Sequence, residues 1–377
     1  MPIDMRKKRE DWLRDVVQEI DYRGYLLFNL FKFKKCPGKI KRVVVVETYA
    51  LGDLIVITPL LRVIKNNIPD AVIDVVVKPQ WKGILEGLET VNEIIPYTSF
   101  SATKNVLKAR KYDLGIILHE GSIKMSLLLL GAGVKYRIGC PKTGMRYGKG
   151  FFLHKKVKPN KKLQHKVQDI LDMARLIDMY VPENMRPELP EVRSEKIRRQ
   201  IKELKRPIIG IHVTSQHITQ RWIPAYWIEV CNELIRKKKA TLVFTGAPGE
   251  EGQVNQIIEK IEKKSAVVNM CGKTSVEEVI DLVRAYDLLI TIDTSIIHIA
   301  SATNTPTIAL FGPTIPAIWG PLAAGSKVIW KEDSKCVGCR NTRRCVFDHD
   351  MECMRSITPK EVGEEAIKSL EQKESER

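Results

Sequence analysis

The chain has 377 residues, an apolar fraction of 44% and a formal net charge of +17. This length exceeds one ordinary core, so we expect about two domains, and the apolar fraction excludes a disordered chain. The positive charge predicts an acidic partner, which could be nucleic acid, an anionic membrane surface or a phosphorylated substrate.

Residues 1–38 are predicted to form a basic amphipathic N-terminal extension. Trp12, Val16 and Ile20 recur at helical spacing, and leucine and aromatic residues alternate with lysines over 25–35. Such a segment suits the headgroup layer of a membrane, and a helix packed on the protein's own surface is the alternative. No apolar run reaches the roughly 18 residues that span a bilayer. The N-terminus also lacks the apolar stretch of a secretory signal, so we expect a cytoplasmic protein.

Residues 39–185 alternate between strand and helix patterns. Strands are predicted at 43–47, 72–77 and 113–118, and helices at 53–67, 81–88, 123–130 and 165–179. Continuous apolar strands separated by helices are typical of βαβ units around a parallel sheet.

The pattern restarts after residues 186–206, whose charges and prolines predict a linker with a solvated helix. Residues 207–330 then carry predicted strands at 207–213, 241–245, 267–270, 288–292 and 307–311, with helices at 226–237, 250–263 and 276–285. Residues 331–377 are predicted to form a cysteine-rich loop and a C-terminal helix. The fold class is therefore α/β, with two Rossmann-like doubly wound domains facing across a cleft at the carboxyl ends of their strands.

A polar triplet follows the strand at 288–292. Asp293, Thr294 and Ser295 stand at a strand-to-helix turn, and His298 lies one turn inside the helix. Hydroxyls, free backbone N–H groups and the helix dipole favour an anion such as a pyrophosphate there. The alternative is that the triplet only caps the helix.

The first strand leads into a turn that ends in Gly52-Asp53. A carboxylate at the start of the helix can accept a proton from a hydroxyl nucleophile, although an acid in a first helical turn is more often structural. In the second half, Thr214 and Ser215 could donate to phosphate oxygens, and Arg221 could stabilise a departing diphosphate. Glu250 or Glu251 could accept from ribose hydroxyls, and a solvated first-turn glutamate is the alternative.

Known nucleotide and metal motifs are absent from the sequence. We find no G-x-x-x-x-G-K-[ST] loop, no G-x-G-x-x-G after a strand, and no H-E-x-x-H or Asp-rich metal loop. Metal-dependent catalysis therefore has no support in the sequence.

Four motifs in order resemble glycosyltransferase family 9, the ADP-heptose:lipopolysaccharide heptosyltransferases. They are ETYALGDLIVITPLLRVIK at 47–65, GIHVTS at 210–215, FTGAPGEE at 244–251 and TIDTSIIHIASATNTPTIALFGPT at 291–314. The resemblance covers roughly residues 40–365 and implies a GT-B architecture with metal-independent inversion at the sugar. It implies the following roles: Asp53 as the base that deprotonates the acceptor; Asp293, Thr294 and Ser295 as the donor diphosphate loop, with His298 in the same motif; Thr214 and Ser215 as the phosphate-contacting turn; Glu250 or Glu251 as the ribose contact.

Two positions depart from the family pattern. Gln220 stands where members often carry a lysine that supports the diphosphate, so either Arg221 takes over that charge or the support is weaker. Ser295 replaces a glycine, which bears on how closely the diphosphate approaches. Two alternatives therefore stay open: a relative that uses another nucleotide sugar, and a relative that has lost catalysis.

The excess of basic over acidic residues fits an acidic phosphorylated glycolipid acceptor, a lipopolysaccharide core or lipid A precursor, at the inner face of the cytoplasmic membrane. This would make the protein a peripheral one on an anionic surface. Basic residues of the N-terminal half that could meet the acceptor are Lys124, Arg137, Lys142, Arg146 and Lys149, and ordinary solvated surface is the alternative. A nucleic-acid-binding protein is the alternative of another class, and it predicts basic residues grouped with exposed aromatic residues or on a recognition helix. Here the basic residues are dispersed along the chain, and the polar turns lie at strand ends.

Four cysteines cluster near the C-terminus: Cys336, Cys339, Cys345 and Cys353. Their spacing fits a structural zinc or another thiolate-bound metal, while the unequal spacers leave open that not all four ligate. A reducing compartment disfavours a disulfide. Such a metal is not needed for the chemistry, so no cofactor is expected for catalysis.

Overall fold

The computed structural model describes residues 35–118, 123–139, 152–157, 163–191, 194–332, 339, 345 and 351–375. These residues form two compact units. Unit 1 lies within residues 1–162 and 166–185, and unit 2 within residues 163–165 and 186–377. The predicted N-terminal extension lies outside the described residues except for its last four.

Unit 1 is built on a parallel sheet whose strands follow one another in the order β3-β2-β1-β4-β5-β6. The strands are β1 (Arg42–Val46), β2 (Val72–Val77), β3 (Glu93–Pro96), β4 (Leu114–Ile117), β5 (Tyr136–Gly139) and β6 (Lys155–Lys156). The central strand β1 has the sequence RVVVV, and its four valines are buried. A parallel strand that is covered on both faces needs this continuous run of β-branched residues.

The helices of unit 1 are α1 (Leu51–Val56), α2 (Thr58–Asn67), α3 (Phe100–Arg110), α4 (Ile123–Gly131) and α5 (Lys166–Arg175), with a 3-10 helix at Pro79–Leu85. The prediction of one helix over 53–67 was wrong, because the helix is interrupted at Ile57. Pro59 lacks an N–H group and its ring clashes with the carbonyl of residue 55 in a continuous helix. The Thr58 hydroxyl donates to that same Ile55 carbonyl at 2.8 Å. The helix predicted at 81–88 is instead the 3-10 helix.

Unit 2 repeats this plan with the strand order β9-β8-β7-β10-β11-β12. Its strands are β7 (Ile208–His212), β8 (Thr241–Thr245), β9 (Val267–Asn269), β10 (Leu288–Ile292), β11 (Thr307–Phe311) and β12 (Lys327–Trp330). Its helices are α6 (Glu195–Lys202), α7 (Pro224–Lys238), α8 (Glu251–Ile258), α9 (Val276–Ala285), α10 (Ile296–Thr303), α11 (Pro316–Trp319), α12 (Glu352–Arg355) and α13 (Pro359–Ser375), with 3-10 helices at Ile218–Gln220 and Lys264–Ala266.

The helix within the predicted linker, α6, belongs to unit 2. The Ser194 backbone N–H donates to Asp281 at 2.8 Å, and Lys196 pairs with Glu278 at 3.1 Å, both on α9. The C-terminal helix α13 also joins this unit, since its buried face packs in the same core as α7 and the sheet. Within the described residues, no helix combines the length and apolar character needed to cross a bilayer.

In both sheets the order in which the chain adds strands reverses at the central strand. The chain first builds outward from β1 to β3, then returns to place β4 on the other side of β1, and β7 and β10 repeat this arrangement. In open α/β sheets, ligands bind outside the carboxyl ends of the strands at this reversal. The predicted α/β class with two doubly wound sheets is confirmed, and the reversal locates the candidate site of each unit.

Candidate active site

The two polar turns of unit 2 lie side by side at the carboxyl edge of its sheet. Strands β7 and β10 are parallel neighbours, with His212 opposite Thr291. The turn that begins at Thr214 and the turn that begins at Asp293 therefore leave the sheet next to each other. Residues separated by some 80 positions in the sequence are brought to one place by the strand order.

Glu250 closes the turn after β8 and holds the start of the turn after β7. One carboxylate oxygen of Glu250, Oε2, accepts from the Thr214 hydroxyl at 2.6 Å and from the Ala247 backbone N–H at 2.8 Å. Thr214 is buried, and its hydroxyl hydrogen is committed to this carboxylate. In this conformation Thr214 can offer a ligand its lone pairs but not the hydrogen that the sequence analysis assigned to a phosphate.

The surroundings of Glu250 are tightly packed. A Cβ at Gly246 would lie 2.6 Å from the Cys271 sulfur and 3.3 Å from Glu250 Oε2, so this turn requires glycine. His212 Nδ1 lies 3.0 Å from the Thr245 hydroxyl, and burial lowers the pKa of His212 to about 4 against the opposing effect of Glu250. Burial, with help from Glu251 and Glu250, raises the pKa of Cys271 to about 11. Both groups are therefore uncharged near neutral pH.

Glu251 begins α8 and lies against the turn after β9. Its Oε2 accepts from the Gly249 N–H at 2.8 Å, and a Cβ at Gly272 would come within 2.2 Å of its Oε1. Gly249 and Gly272 also have positive φ values of 92° and 69°, which glycine adopts at little cost. Both acids predicted to contact a ribose thus lie at this carboxyl edge, and each also fastens a glycine-containing turn.

A chain of hydrogen bonds joins the turn after β7 to the turn after β10. The His217 backbone N–H donates to Ser215 Oγ at 3.1 Å, and Ser215 Oγ donates to Gln220 Oε1 at 2.9 Å. The Gln220 amide then donates to Asp293 Oδ2 at 3.0 Å. Arg221 Nε donates to the Ser215 carbonyl at 2.8 Å, which holds the guanidinium of Arg221 beside the same turn. Sequence reasoning treated Gln220 as a lost lysine and missed this bridge.

The start of α10 carries an unsatisfied polar group. Burial raises the pKa of Asp293 to about 6, opposed by the neighbouring Thr314 hydroxyl and Gln220 amide. The hydroxyl of Thr294 is buried and has no hydrogen-bond partner within the described part of the chain. Ser295 precedes the helix but its side chain does not cap it. The capping alternative is therefore not supported at Ser295, and a ligand with acceptor oxygens would satisfy the Thr294 hydroxyl.

His298 lies inside α10 and is buried against Trp319, with 6.0 Å between the ring centroids. Burial, together with the nearby His165, lowers the pKa of His298 to about 3. The imidazole is therefore neutral at physiological pH, and it contributes packing beneath the turn without a positive charge.

Asp53 occupies the corresponding turn of unit 1. It is the third residue of α1, after an N-cap at Ala50, and is 6% exposed. The turn before it is fastened at Tyr49, whose N–H donates to Glu47 at 2.8 Å and whose carbonyl accepts from Lys78 Nζ at 2.8 Å. Sequence reasoning missed Lys78, because nothing in the local pattern connects the turns after β1 and β2.

The basic residues predicted to meet an acceptor fall into different surroundings. Lys124 is exposed, with its Nζ 5.5 Å from the centre of the Tyr97 ring. Arg137 is 2% exposed, and its guanidinium donates to the Phe152 and Val134 carbonyls at 2.7 Å each. We therefore assign Arg137 to the packing of β5 and not to an exposed acceptor surface. The positions 142, 146 and 149 lie outside the described residues.

The cysteine cluster is only partly described. Cys353 is buried beneath the turn after β11, where a Cβ at Gly312 would lie 3.2 Å from its sulfur. Cys339 and Cys345 are partly exposed, and Cys336 lies outside the described residues. Among the residues that are described, no group of three His, Cys, Asp or Glu side chains could hold a metal ion.

Comparison with known proteins places this geometry in a family. The sequence model of "Glycosyltransferase family 9 (heptosyltransferase)" matches residues 101–348, more than half of the chain. Lipopolysaccharide heptosyltransferase 2 of Escherichia coli strain K12 is 24% identical over 314 residues, which cover 76% of this chain and 87% of that protein. Lipooligosaccharide heptosyltransferase 2 of Haemophilus influenzae is 27% identical over 305 residues, covering 74% and 85%.

The comparison with solved structures agrees with the sequence comparison. The structure of E. coli ADP-heptose LPS heptosyltransferase II superposes with a TM-score of 0.72 at 25% identity, covering 89% of this chain and 100% of that chain. The predicted GT-B fold is confirmed by this likeness. The chain therefore belongs to glycosyltransferase family 9, the heptosyltransferase family, and is a glycosyltransferase.

Proposed function

We propose that this protein transfers a heptose from ADP-heptose to a lipopolysaccharide core or lipid A precursor, with inversion at the sugar and without a catalytic metal. The names of the similar E. coli and H. influenzae proteins support the heptose and the lipopolysaccharide. Unit 2 would hold the donor, and unit 1 would supply the base.

The reaction is a single displacement. Asp53 takes the proton of an acceptor hydroxyl, whose oxygen forms a bond to the anomeric carbon of the heptose. The bond between that carbon and the diphosphate oxygen breaks, and ADP leaves with the electron pair. Attack opposite the leaving group inverts the configuration at the carbon.

The leaving diphosphate needs positive or hydrogen-bonding groups as its charge develops. Arg221, fastened by Nε to the Ser215 carbonyl, is the cation of this turn that we assign to it. The uncapped start of α10 adds backbone N–H groups and a favourable dipole. Asp293 to Ser295 thus remain our diphosphate loop, with Thr214 and Ser215 supporting the neighbouring turn and His298 packed below.

The observation that carries this proposal is the buried, unpartnered hydroxyl of Thr294. Buried polar groups are nearly always satisfied, and leaving one unpaired costs roughly 1–3 kcal/mol. Thr294 stands on the turn directly after β10. A free hydroxyl donor at the carboxyl edge of a Rossmann-like sheet suits a phosphate oxygen. Glu250 and Glu251 stand after β8, which is separated from β10 by β7, and we assign to them the contact with ribose hydroxyls.

A titration and an assay test the proposal. Isothermal calorimetry of the full chain should detect binding of ADP-heptose and should give little heat with UDP- and GDP-sugars. Asp53→Asn should lower turnover by at least about a thousandfold while leaving the ADP dissociation constant unchanged, since catalysis loses its base but the donor site is intact. Asp70→Asn, at an exposed position of unit 1, is the matched control and should keep full activity. Retained turnover of Asp53→Asn would remove Asp53 from the mechanism, and preference for another nucleotide would overturn the donor.

The acceptor and its membrane are proposed from charge. A phosphorylated glycolipid on the inner face of the cytoplasmic membrane suits a chain of net charge +17. Lys124 remains our candidate acceptor contact in the described part of the chain, with Lys142 and Arg146 beyond it. The full chain should sediment with phosphatidylglycerol vesicles at low salt and not with phosphatidylcholine vesicles. Binding that ignores both salt and lipid charge would contradict this localisation.

The cysteine quartet is proposed as a structural metal site, with zinc as the ion that suits four thiolates. Metal analysis of the purified full chain should find a bound ion that Cys336→Ser removes and Cys36→Ser, outside the quartet, retains. Turnover should persist in a chelator that leaves this ion in place. A metal-free protein with normal activity and stability would refute the site.

A further inference from the structure

We propose that Gln220 is a positioning residue that locks the two halves of the diphosphate site together, taking over by hydrogen bonding what a lysine would do by charge. This inference rests on the proposed donor site. It assigns to the departure at position 220 a role that is specific to this chain.

The direction of every hydrogen bond in the bridge is determined by its two ends. At one end the His217 backbone N–H can only donate, and at the other the ionised Asp293 carboxylate can only accept. The Gln220 NH2 group must therefore face Asp293 and its carbonyl must face Ser215. Ser215 in turn must donate to Gln220. A reversed amide would place two acceptors in contact, so the bridge has a single low-energy arrangement.

The bridge is sheltered from water. Gln220 and Ser215 are each 6% exposed. Hydrogen bonds to a charged group are stronger in such a place than at the surface, because solvent does not compete for the partners. Gln220 lies at the end of the 3-10 helix Ile218–Gln220, and Asp293 directly follows β10. Loss of the bridge would therefore release the turn after β7 from the turn after β10.

Two groups of the donor site depend on this bridge, the Thr294 hydroxyl and the Arg221 guanidinium. Asp293 immediately precedes Thr294, whose hydroxyl we assign to a phosphate oxygen. Ser215 carries the carbonyl that orients Arg221. Movement of either turn would thus shift a donor or the cation relative to the diphosphate, and displacements near 1 Å are costly at such sites.

A lysine at position 220 would pair with Asp293 by charge but could not accept from Ser215, because an ammonium group has no acceptor. Glutamine satisfies both partners at once. The positive charge of the site then falls to the neighbouring Arg221. This answers the question raised by the sequence, since a neutral residue at 220 is compatible with an ordered diphosphate site.

The test uses two variants of the full chain, with ADP as the probe. Gln220→Met keeps the length of the side chain and removes both hydrogen bonds, and should weaken ADP binding by about tenfold. Gln220→Glu should weaken it at least as much at pH 8, where two carboxylates face each other. At pH 5.5, which is below the raised pKa of Asp293, the two carboxyl groups can share a proton in one hydrogen bond, and the ratio of variant to wild-type dissociation constants should return to within about threefold. Using this ratio at each pH cancels the titration of ADP itself.

The control and the contrary outcomes are distinct. Gln372→Glu makes the same charge change at an exposed position of α13 and should leave ADP affinity unchanged at both pH values. Equal ADP affinities of the wild type and of Gln220→Met would overturn the positioning role, and so would an affinity defect of Gln220→Glu that does not depend on pH. Failure of the wild type to bind ADP would instead overturn the proposed donor. If Gln220→Met does not fold, Gln220→Glu at pH 5.5 still decides the matter.

Discussion

Asn at position 293 should stabilise the unliganded protein. Ionised Asp293 is disfavoured in the folded state, since its pKa is raised from the ordinary 3.8 to about 6 by burial. That difference corresponds to about 3 kcal/mol of lost stability above pH 6. The loss is absent below about pH 3.8, where the carboxyl is protonated in both states, and it develops as the pH rises through 6. Asp293→Asn removes the charge while its amide oxygen can still accept from Gln220.

The measurement is urea denaturation at pH 8 and pH 4, followed by the fluorescence of Trp222 and Trp227 in unit 2. Asp293→Asn should raise the free energy of unfolding by about 2–3 kcal/mol at pH 8 and by little at pH 4. Asp287→Asn is a control of opposite sign. The Asp287 pKa is lowered, despite its burial, by the Ile208 N–H, Arg206 and Lys373, so this substitution should destabilise at pH 8. Destabilisation by Asp293→Asn at pH 8, or an equal gain at both pH values, would refute the reasoning.

Two further substitutions test the packing of strand β7 in unit 2 and the turn before Asp53 in unit 1. Gly210→Ala should destabilise unit 2 by about 2–4 kcal/mol in a denaturation experiment, because its Cβ would lie 2.2 Å from the Tyr286 ring, which is 2% exposed. Lys78→Ala removes the donor to the Tyr49 carbonyl in the turn before Asp53. It should lower kcat by about threefold to tenfold with ADP affinity unchanged, as measured by steady-state kinetics and calorimetry.

Matched controls accompany both substitutions. Gly252→Ala, in α8 with open space around the new Cβ, should be neutral or slightly stabilising. Lys82→Ala removes an exposed lysine that pairs with Glu86 and should leave kcat unchanged. A tolerated Gly210→Ala would mean that Tyr286 can shift. A Lys78→Ala variant with normal kcat would show that the turn is held by its other contacts.

The sequence predicted the parts of the candidate site better than their connections. Each polar turn was located correctly after a strand, because buried parallel strands such as β1 and β10 are continuous apolar runs. The hydrogen bonds between turns were not predicted. Thr214 was expected to donate to a phosphate, yet its hydroxyl donates to Glu250, and Arg137 was expected on the surface, yet it is buried.

Side-chain partners escape sequence reasoning for a physical reason. A hydrogen bond such as that from Gln220 to Asp293 joins residues 73 positions apart. It exists because β7 and β10 are neighbours. Local periodicity reports which face of an element is apolar, but it does not report which element lies beside it.

What the sequence determined by itself is therefore the alternating β/α order of two domains, the chemical character of the turns and the family. These depend on local burial and on residue types within a few positions of each other. The tertiary structure decided the lateral order of the strands, and with it the bridge through Gln220, the raised pKa of Asp293 and the unpartnered hydroxyl of Thr294. These properties depend on burial and hydrogen bonding between distant segments, which exist only when the sheet has assembled.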